Sequence, residues 1–112
     1  MELYELTAHE LMEKLEKKEI TMTDVIKSCF ERINEKEKDV QAFVSIYEKE
    51  ALSKAESRNE CILPPIGIKD NINIKGTKTT CSSKMLENYV SPYNATIINK
   101  INDENITVLR KT

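Results

Sequence analysis

The stretch Pro65-Ile66-Gly67-Ile68-Lys69-Asp70-Asn71 decides how the second half of this 112-residue chain folds. Its apolar part, residues 66–68, is bounded by proline and by polar residues, which is typical of the end of a buried strand. A lysine directly after such a strand is unusual, because burying an ammonium group is costly unless the group is paired or neutralised. A desolvated lysine can lose its proton near neutral pH and act as a base. The alternative, favoured for this stretch alone, is a strand-end lysine whose charge lies in solvent.

The residues that precede this stretch predict mainly helices. Thr7 with Glu10 and Thr21 with Asp24 each match a capping box, in which a hydroxyl and a carboxylate satisfy the first free amides of a helix. Apolar residues at helical spacing follow each box. The predicted elements are helices near 7–18, 22–36 and 47–57, a polar turn at 36–39, a short strand within 40–46, and Arg58-Asn59-Glu60 as the end of the third helix.

The residues that follow the stretch predict loops, two helices and a second buried strand. The first helix is expected within 83–89 with Ser82 or Ser83 as its cap, and the second is expected to be capped by Asn94. Asn105 is the predicted left-handed terminator of that helix, and residues 106–109 form the predicted strand. The order strand, loops, helix, strand predicts an α/β architecture. Because a sheet of two or three strands covers itself poorly, we expect a larger structure around it.

Charge and cysteine content argue against several functions. The 17 basic and 19 acidic residues nearly balance, at a net charge of −2, so we expect no direct electrostatic binding to nucleic acid. Cys29, Cys61 and Cys81 form no C-x-x-C pair and His9 is the single histidine, which argues against a zinc site. We expect His9 at the surface and Cys81 as a small buried residue. The sequence shows no leader peptide and no apolar run of about 20 residues, so it predicts a cytoplasmic protein.

Further blocks accompany the lysine stretch in order: Leu6-Thr7-Ala8-His9-Glu10-Leu11 before it, and residues 79–89 and Pro92-Tyr93-Asn94-Ala95-Thr96 after it. With them the whole chain resembles the amidase-signature family, and within it the glutamine-hydrolysing amidotransferases more than the other amidases. The resemblance implies that residues 1–112 are the N-terminal part of a single amidase-signature domain. Residues 1–60 would be helical, and residues 61–112 would begin a mixed sheet with helices on both faces, incomplete within this chain.

The resemblance also implies a catalytic role for Lys69. In this family the lysine is a general base, a serine in a cis peptide relays the proton, and a second serine attacks the amide carbon. Both family serines lie downstream of residue 112, and Ser82 and Ser83 are expected to cap a helix rather than to replace them. We therefore expect the isolated chain to be inactive and the Lys69 side chain to be solvated.

The function that this branch of the family implies is ammonia supply. Glutamine is hydrolysed, a partner subunit uses ATP and Mg²⁺ to activate Glu-tRNA(Gln), and the ammonia converts it to Gln-tRNA(Gln). The implied partners are the B and C subunits of such a complex, while this chain itself is expected to bind no cofactor, metal, nucleic acid or membrane. Two alternatives stay open: a catalytically dead relic or interaction module that binds partner subunits, and a piece of another small-amide amidase.

Three positions depart from the family pattern. Leu63 replaces a glycine before the lysine stretch, Asn94 stands where an aspartate is usual, and Arg110 replaces the glycine that precedes Lys111 and Thr112. A glycine often permits close approach of another backbone. The arginine therefore leaves the geometry of the second strand end open.

Overall fold

The computed structural model describes residues 1–57 and 62–112, in which a three-stranded sheet carries helices on both faces. The helices are α1 (Ala8–Glu16), α2 (Met22–Val40), α3 (Glu48–Ser57) and α4 (Thr96–Asp103), and the strands are β1 (Ser45–Ile46), β2 (Ile66–Ile68) and β3 (Val108–Lys111). Two short 3-10 helices span Leu3–Glu5 and Lys84–Leu86. The central strand β3 lies antiparallel to β1 and parallel to β2. This arrangement confirms the predicted α/β class with a mixed sheet.

The first two helices begin as predicted, at capping boxes. The Thr7 hydroxyl accepts a hydrogen bond from the Glu10 amide at 3.3 Å, and the Thr21 hydroxyl accepts one from the Asp24 amide at 3.2 Å. Each carboxylate in turn accepts from the backbone amide of its threonine, at 2.8 and 2.9 Å. These bonds satisfy amides for which the helix itself offers no carbonyl.

The end of α2 differs from the prediction. The helix runs to Val40, so the predicted turn at 36–39 is wrong, because Lys and Glu are good helix formers and no glycine or proline interrupts them. Gln41 ends the helix with a left-handed backbone at φ 51°. The strand predicted within 40–46 is reduced to β1, and the residues predicted to end α3, at 58–60, lie outside the described residues. Among the described residues no helix combines the length and apolarity that a membrane crossing requires.

Two apolar cores lie on opposite faces of the sheet. The larger core packs α1, α2 and α3 against one face, with Val25 and Ile26 fully buried. The smaller core lies between α4 and the other face, where Ile98 packs with Ile68. Strand β3 contributes Leu109 to the larger core and Val108 to the smaller one. The central strand therefore joins the two cores, as expected for a strand buried on both sides.

A bulge interrupts the parallel pairing of β2 with β3. Ile66 pairs with Val108, but the next residue of β2, Gly67, pairs with Arg110, so Leu109 is an extra residue on β3. A bulge of this kind changes the face to which the following side chains point. Arg110 consequently lies on the α2 face, stacked on Phe43, and the next residue returns to the face of Ile68. The strand itself is displaced to 108–111 from the predicted 106–109.

Helix α4 starts without the predicted cap. The N-cap position is Ala95, which offers no side-chain hydrogen bond, and the Asn94 carbonyl oxygen accepts from the amide of Lys75 at 2.7 Å instead. Asn94 therefore ties α4 to the loop after β2. Asn105 has the predicted left-handed backbone, at φ 59°. The helix predicted within 83–89 is only a single 3-10 turn at Lys84–Leu86.

Removing the Thr21 hydroxyl should lower the free energy of unfolding by about 1 kcal/mol, the usual cost of losing an N-cap side chain. Thr23→Ala, inside the first turn of the same helix, is the matched control. It removes a hydroxyl without removing a cap and should not destabilise, because alanine is the better helix former. Urea unfolding followed by circular dichroism measures both variants. Equal losses for Thr21→Ala and Thr23→Ala would contradict the role of the cap.

The same cap should make stability depend on pH. Hydrogen bonds from the Thr21 hydroxyl and amide lower the pKa of the Asp24 carboxyl below its ordinary value of 3.8. A lowered acid pKa stabilises the folded state above that ordinary value, and the contribution is lost as the pH falls through the folded-state pKa. Asp24→Asn should thus be less stable than the unsubstituted chain at neutral pH and converge on it in acid. A difference that stays constant with pH, in urea unfolding series, would rule this out.

Candidate active site at the carboxyl ends of the parallel strands

The two parallel strands end at the same edge of the sheet, and Lys69 lies there. The amide of Asp70 donates to the Thr112 carbonyl at 2.9 Å, and the amide of Thr112 donates to the Ile68 carbonyl at 2.9 Å. These bonds continue the pairing of β2 with β3 past the last strand residues. Because successive side chains of an extended segment point to opposite sides, Asp70 turns inward and is buried, whereas Lys69 is exposed. The structure thus places the predicted base in solvent.

Asp70 fastens the loop around residue 80 to the end of β2. The Thr80 amide lies 3.2 Å from each carboxylate oxygen of Asp70, and the Thr80 hydroxyl also donates to that carboxylate. The Cys81 amide donates to the Asp70 carbonyl at 2.9 Å. With 3% of its surface exposed, Asp70 is a buried carboxylate that needs such donors and a compensating charge.

That charge comes from Lys111, whose side chain is fully buried at 0% exposure. Its Nζ donates to the Lys78 carbonyl at 2.7 Å and to the Thr79 hydroxyl at 3.0 Å, and lies 3.7 Å from an Asp70 carboxylate oxygen. Burial lowers the pKa of the Lys111 ammonium group, while the negative charge of Asp70 opposes that shift. The ammonium is surrounded by oxygen atoms of three residues, two of them adjacent in one loop and the third at the end of β2, which makes its burial tolerable.

The bulge in β3 makes this network possible while accommodating Arg110. Arg110 pairs with both Gly67 and Ile46 across the sheet, so the arginine at the usual glycine position keeps the strand end regular apart from the bulge. Its guanidinium stacks on the Phe43 ring, 4.0 Å from the ring centre. A side chain on Gly67 would be in van der Waals range of Arg110, with a Cβ 3.6 Å from Nε.

The loop between Cys81 and Ser83 carries the other side chains considered from the sequence. Ser83 caps the 3-10 turn as expected, accepting from the Met85 amide at 3.3 Å. The expectation that Cys81 is buried is wrong: its backbone is left-handed, with φ 50°, and the residue is exposed. His9 is exposed on α1, as predicted. An open cavity of about 410 Å³ borders Thr80 and the two serines.

Sequence reasoning missed the pairing of Lys111 with Asp70. The available signal was the recurrence of one pattern, an apolar run followed by a charged residue, at two strands predicted to belong to one sheet. Parallel strands bring their carboxyl ends to one edge. An acid after one such strand and a base at the end of the other could therefore have been predicted to meet.

Comparison with known proteins shows the family to which the chain belongs. The sequence model of the amidase family matches residues 24–112, and the chain belongs to that family. Along its whole length the chain is 47% identical to the A subunit of the glutamyl-tRNA(Gln) amidotransferase of Thermoanaerobacter pseudethanolicus and 46% identical to the same subunit of Caldanaerobacter subterraneus. It covers 25% of each of these two proteins. The resemblance to the amidase-signature family is thus confirmed.

Solved structures share the fold. The A subunit of the glutamyl-tRNA(Gln) amidotransferase of Thermotoga maritima superposes with a TM-score of 0.72 at 26% identity, over 99% of this chain and 23% of that protein. A bacterial aryl acylamidase of the amidase-signature family superposes with a TM-score of 0.82 at 22% identity, over 96% of this chain and 25% of its own. The chain therefore spans about a quarter of the length of these relatives.

Replacing Lys111 by methionine should destabilise the fold by about 3–5 kcal/mol, because it leaves the Asp70 carboxylate buried without its cation. Lys69→Met is the control at the same edge of the sheet and should change the free energy of unfolding by less than about 0.5 kcal/mol, since Lys69 is exposed. Adding Asp70→Asn to Lys111→Met should recover part of the loss. Urea unfolding of the unsubstituted chain, Lys111→Met, Asp70→Asn and the double variant gives the coupling energy, and a coupling near zero would contradict the pair.

Proposed function

We propose that this chain supplies the general base, Lys69, to a glutamine-hydrolysing amidase. The supporting observation is its position. Lys69 follows β2 at the edge where both parallel strands end, which is where α/β folds build their sites. The backbone beside it is held by Asp70 and Thr112, while its side chain is open to groups from outside these residues. The names of the relatives at 46–47% identity support the amidotransferase branch of the family.

In the proposed reaction the neutral Lys69 amine accepts a proton, through a bridging serine, from a second serine whose hydroxyl oxygen bonds to the carboxamide carbon of glutamine. The carbon–nitrogen bond then breaks, ammonia leaves with the returned proton, and water hydrolyses the resulting ester to glutamate. Both serines would come from outside residues 1–112, as the family resemblance implies. A neutral amine is favoured by an apolar surround, so the groups that cover Lys69 would come from there as well.

The ammonia would convert Glu-tRNA(Gln) to Gln-tRNA(Gln) in a cytoplasmic complex with B and C subunits. In this proposal the partner subunit holds ATP and Mg²⁺ and activates the glutamyl group. Among the described residues no cluster of His, Cys, Asp or Glu side chains offers a metal site. The near balance of 17 basic and 19 acidic residues supports a chain that leaves tRNA contacts to its partners.

A non-catalytic interaction module is the second candidate. The buried residues of the larger core come from α1, α2, α3 and β3, and both of its first helices begin at complete capping boxes. A helical unit stabilised in this way could bind partner subunits without Lys69 taking part. The two candidates differ in whether glutamine hydrolysis depends on that residue.

Reconstitution tests the proposal. The purified chain is mixed with the A subunit of the Thermoanaerobacter pseudethanolicus amidotransferase from which the first quarter has been removed, and ammonia release from glutamine is measured. Neither polypeptide alone should be active, because losing members of a catalytic unit costs several orders of magnitude in rate. The mixture should hydrolyse glutamine.

The test variant is Lys69→Ala and its matched control is Lys75→Ala, both at exposed lysines. Lys69→Ala should abolish turnover in the mixture and Lys75→Ala should preserve it. Turnover that survives Lys69→Ala would overturn the assignment of the base. A stable complex on size-exclusion chromatography that shows no turnover would favour the interaction module.

A further inference from the structure

A cleft on the α2 face of the sheet collects positive charge. It encloses about 290 Å³ and lies between α2, the segment that leads into β1, and β3. We call it the α2 cleft, and its charged lining consists of Arg32, Lys36, Glu37 and Arg110. It lies on the opposite side of β3 from the buried ammonium of Lys111, because the bulge sends these two consecutive side chains to different faces.

Arg110 is the cation in this cleft that forms no salt bridge among the described residues. Its Nε is buried and has no hydrogen-bond partner among the described residues. One face of the guanidinium is covered by the Phe43 ring at 4.0 Å. Burial lowers the pKa of Arg110, while the negative charge of Glu37 acts in the opposite direction. Buried polar groups without a partner in a native structure commonly mark a bound ion or water.

The acidic side chains nearby are already engaged. A carboxylate oxygen of Glu37 accepts from the Phe43 amide at 2.8 Å, and Glu35 pairs with Arg32 at 3.0 Å and with Lys36 at 3.3 Å on the outer surface of α2. None of the ion pairs within the described part of the chain includes Arg110. The cleft therefore retains an excess of donors.

Cys29 does not supply the missing negative charge. Its thiol lines the same cleft, and burial raises its pKa, so that the neutral thiol is favoured even though the charge of Arg110 acts in the opposite direction. A neutral thiol is a weak acceptor. The Nε–H of the stacked guanidinium is thus left as a buried donor without a hydrogen-bond partner among the described residues.

We infer that the α2 cleft binds a small oxyanion, a carboxylate or phosphate group, with Arg110 as its principal contact. A guanidinium presents two parallel N–H bonds that match the oxygen spacing of either group. Arg32 and Lys36 also line the cleft, where their charges attract the anion without taking part in the two parallel N–H bonds of Arg110. The volume equals that of about ten water molecules in the liquid, which suits a small anion with part of the molecule that carries it.

The probes are inorganic phosphate and acetate, titrated at constant ionic strength with chloride as the balancing anion. The readout is the Nε–Hε signal of Arg110 in ¹⁵N-correlated NMR spectra. Saturation at millimolar concentration with phosphate alone assigns a phosphate site, and saturation with acetate alone assigns a carboxylate site. Shifts that stay linear with both anions would overturn the inference.

Three variants separate binding from folding. Arg110→Lys keeps the charge but removes the two parallel N–H donors, and it should weaken binding several-fold. Binding to this variant is followed by the backbone amide signals of the residues that line the cleft. Lys36→Met keeps Arg110 and should weaken binding by a smaller factor. Lys100→Met, on α4 at the other face of the sheet, should bind as the unsubstituted chain does. Equal affinity in Arg110→Lys and the unsubstituted chain would show that no guanidinium site exists.

Discussion

The buried ammonium group of Lys111 is the constraint on which the second half of the structure depends. A charge removed from water is tolerated only where oxygen atoms surround it. Here they belong to the Lys78 carbonyl, the Thr79 hydroxyl and the Asp70 carboxylate, which come from a loop and from the end of β2. The contacts of the Lys111 ammonium therefore fix the positions of β3, that loop and the end of β2 relative to one another. Because Lys69 directly precedes Asp70, these contacts also determine where Lys69 lies.

The bulge at Leu109 gives two neighbouring cations different roles. In a regular strand the side chain of Arg110 would share a face with Val108, and Lys111 would point towards α2. The extra residue reverses both orientations, so that Lys111 enters a closed network and Arg110 enters an open cleft. Across the parallel pair Arg110 faces Gly67, where an added Cβ would be in ordinary van der Waals contact with the arginine side chain.

The features that could be predicted from the sequence are those determined by interactions between residues close together in the chain. The capping residues Thr7 and Thr21 fix the helix starts through neighbours three positions away. The end of α2 was missed because it depends on the backbone of Gln41 rather than on any strong helix breaker. Lys69 could be found because its motif is continuous, although its catalytic role stays a proposal. The meeting of the Asp70 and Lys111 strand ends follows from parallel pairing and could have been anticipated, but the bulge that turns Lys111 towards Asp70 has no signal in the sequence.

The central position of β3 has a consequence for synthesis on the ribosome. β3 follows every other described helix and strand in chain order, yet β1 and β2 both depend on it for their backbone pairing. As the chain emerges, α1 and α2 can pack early, while the apolar strand β2 waits for its partner. Elongation at roughly 5–20 residues per second makes that interval last some seconds. During it β2 lacks the strand with which it pairs in the fold, and unpaired strand edges are what make incompletely folded chains prone to aggregation.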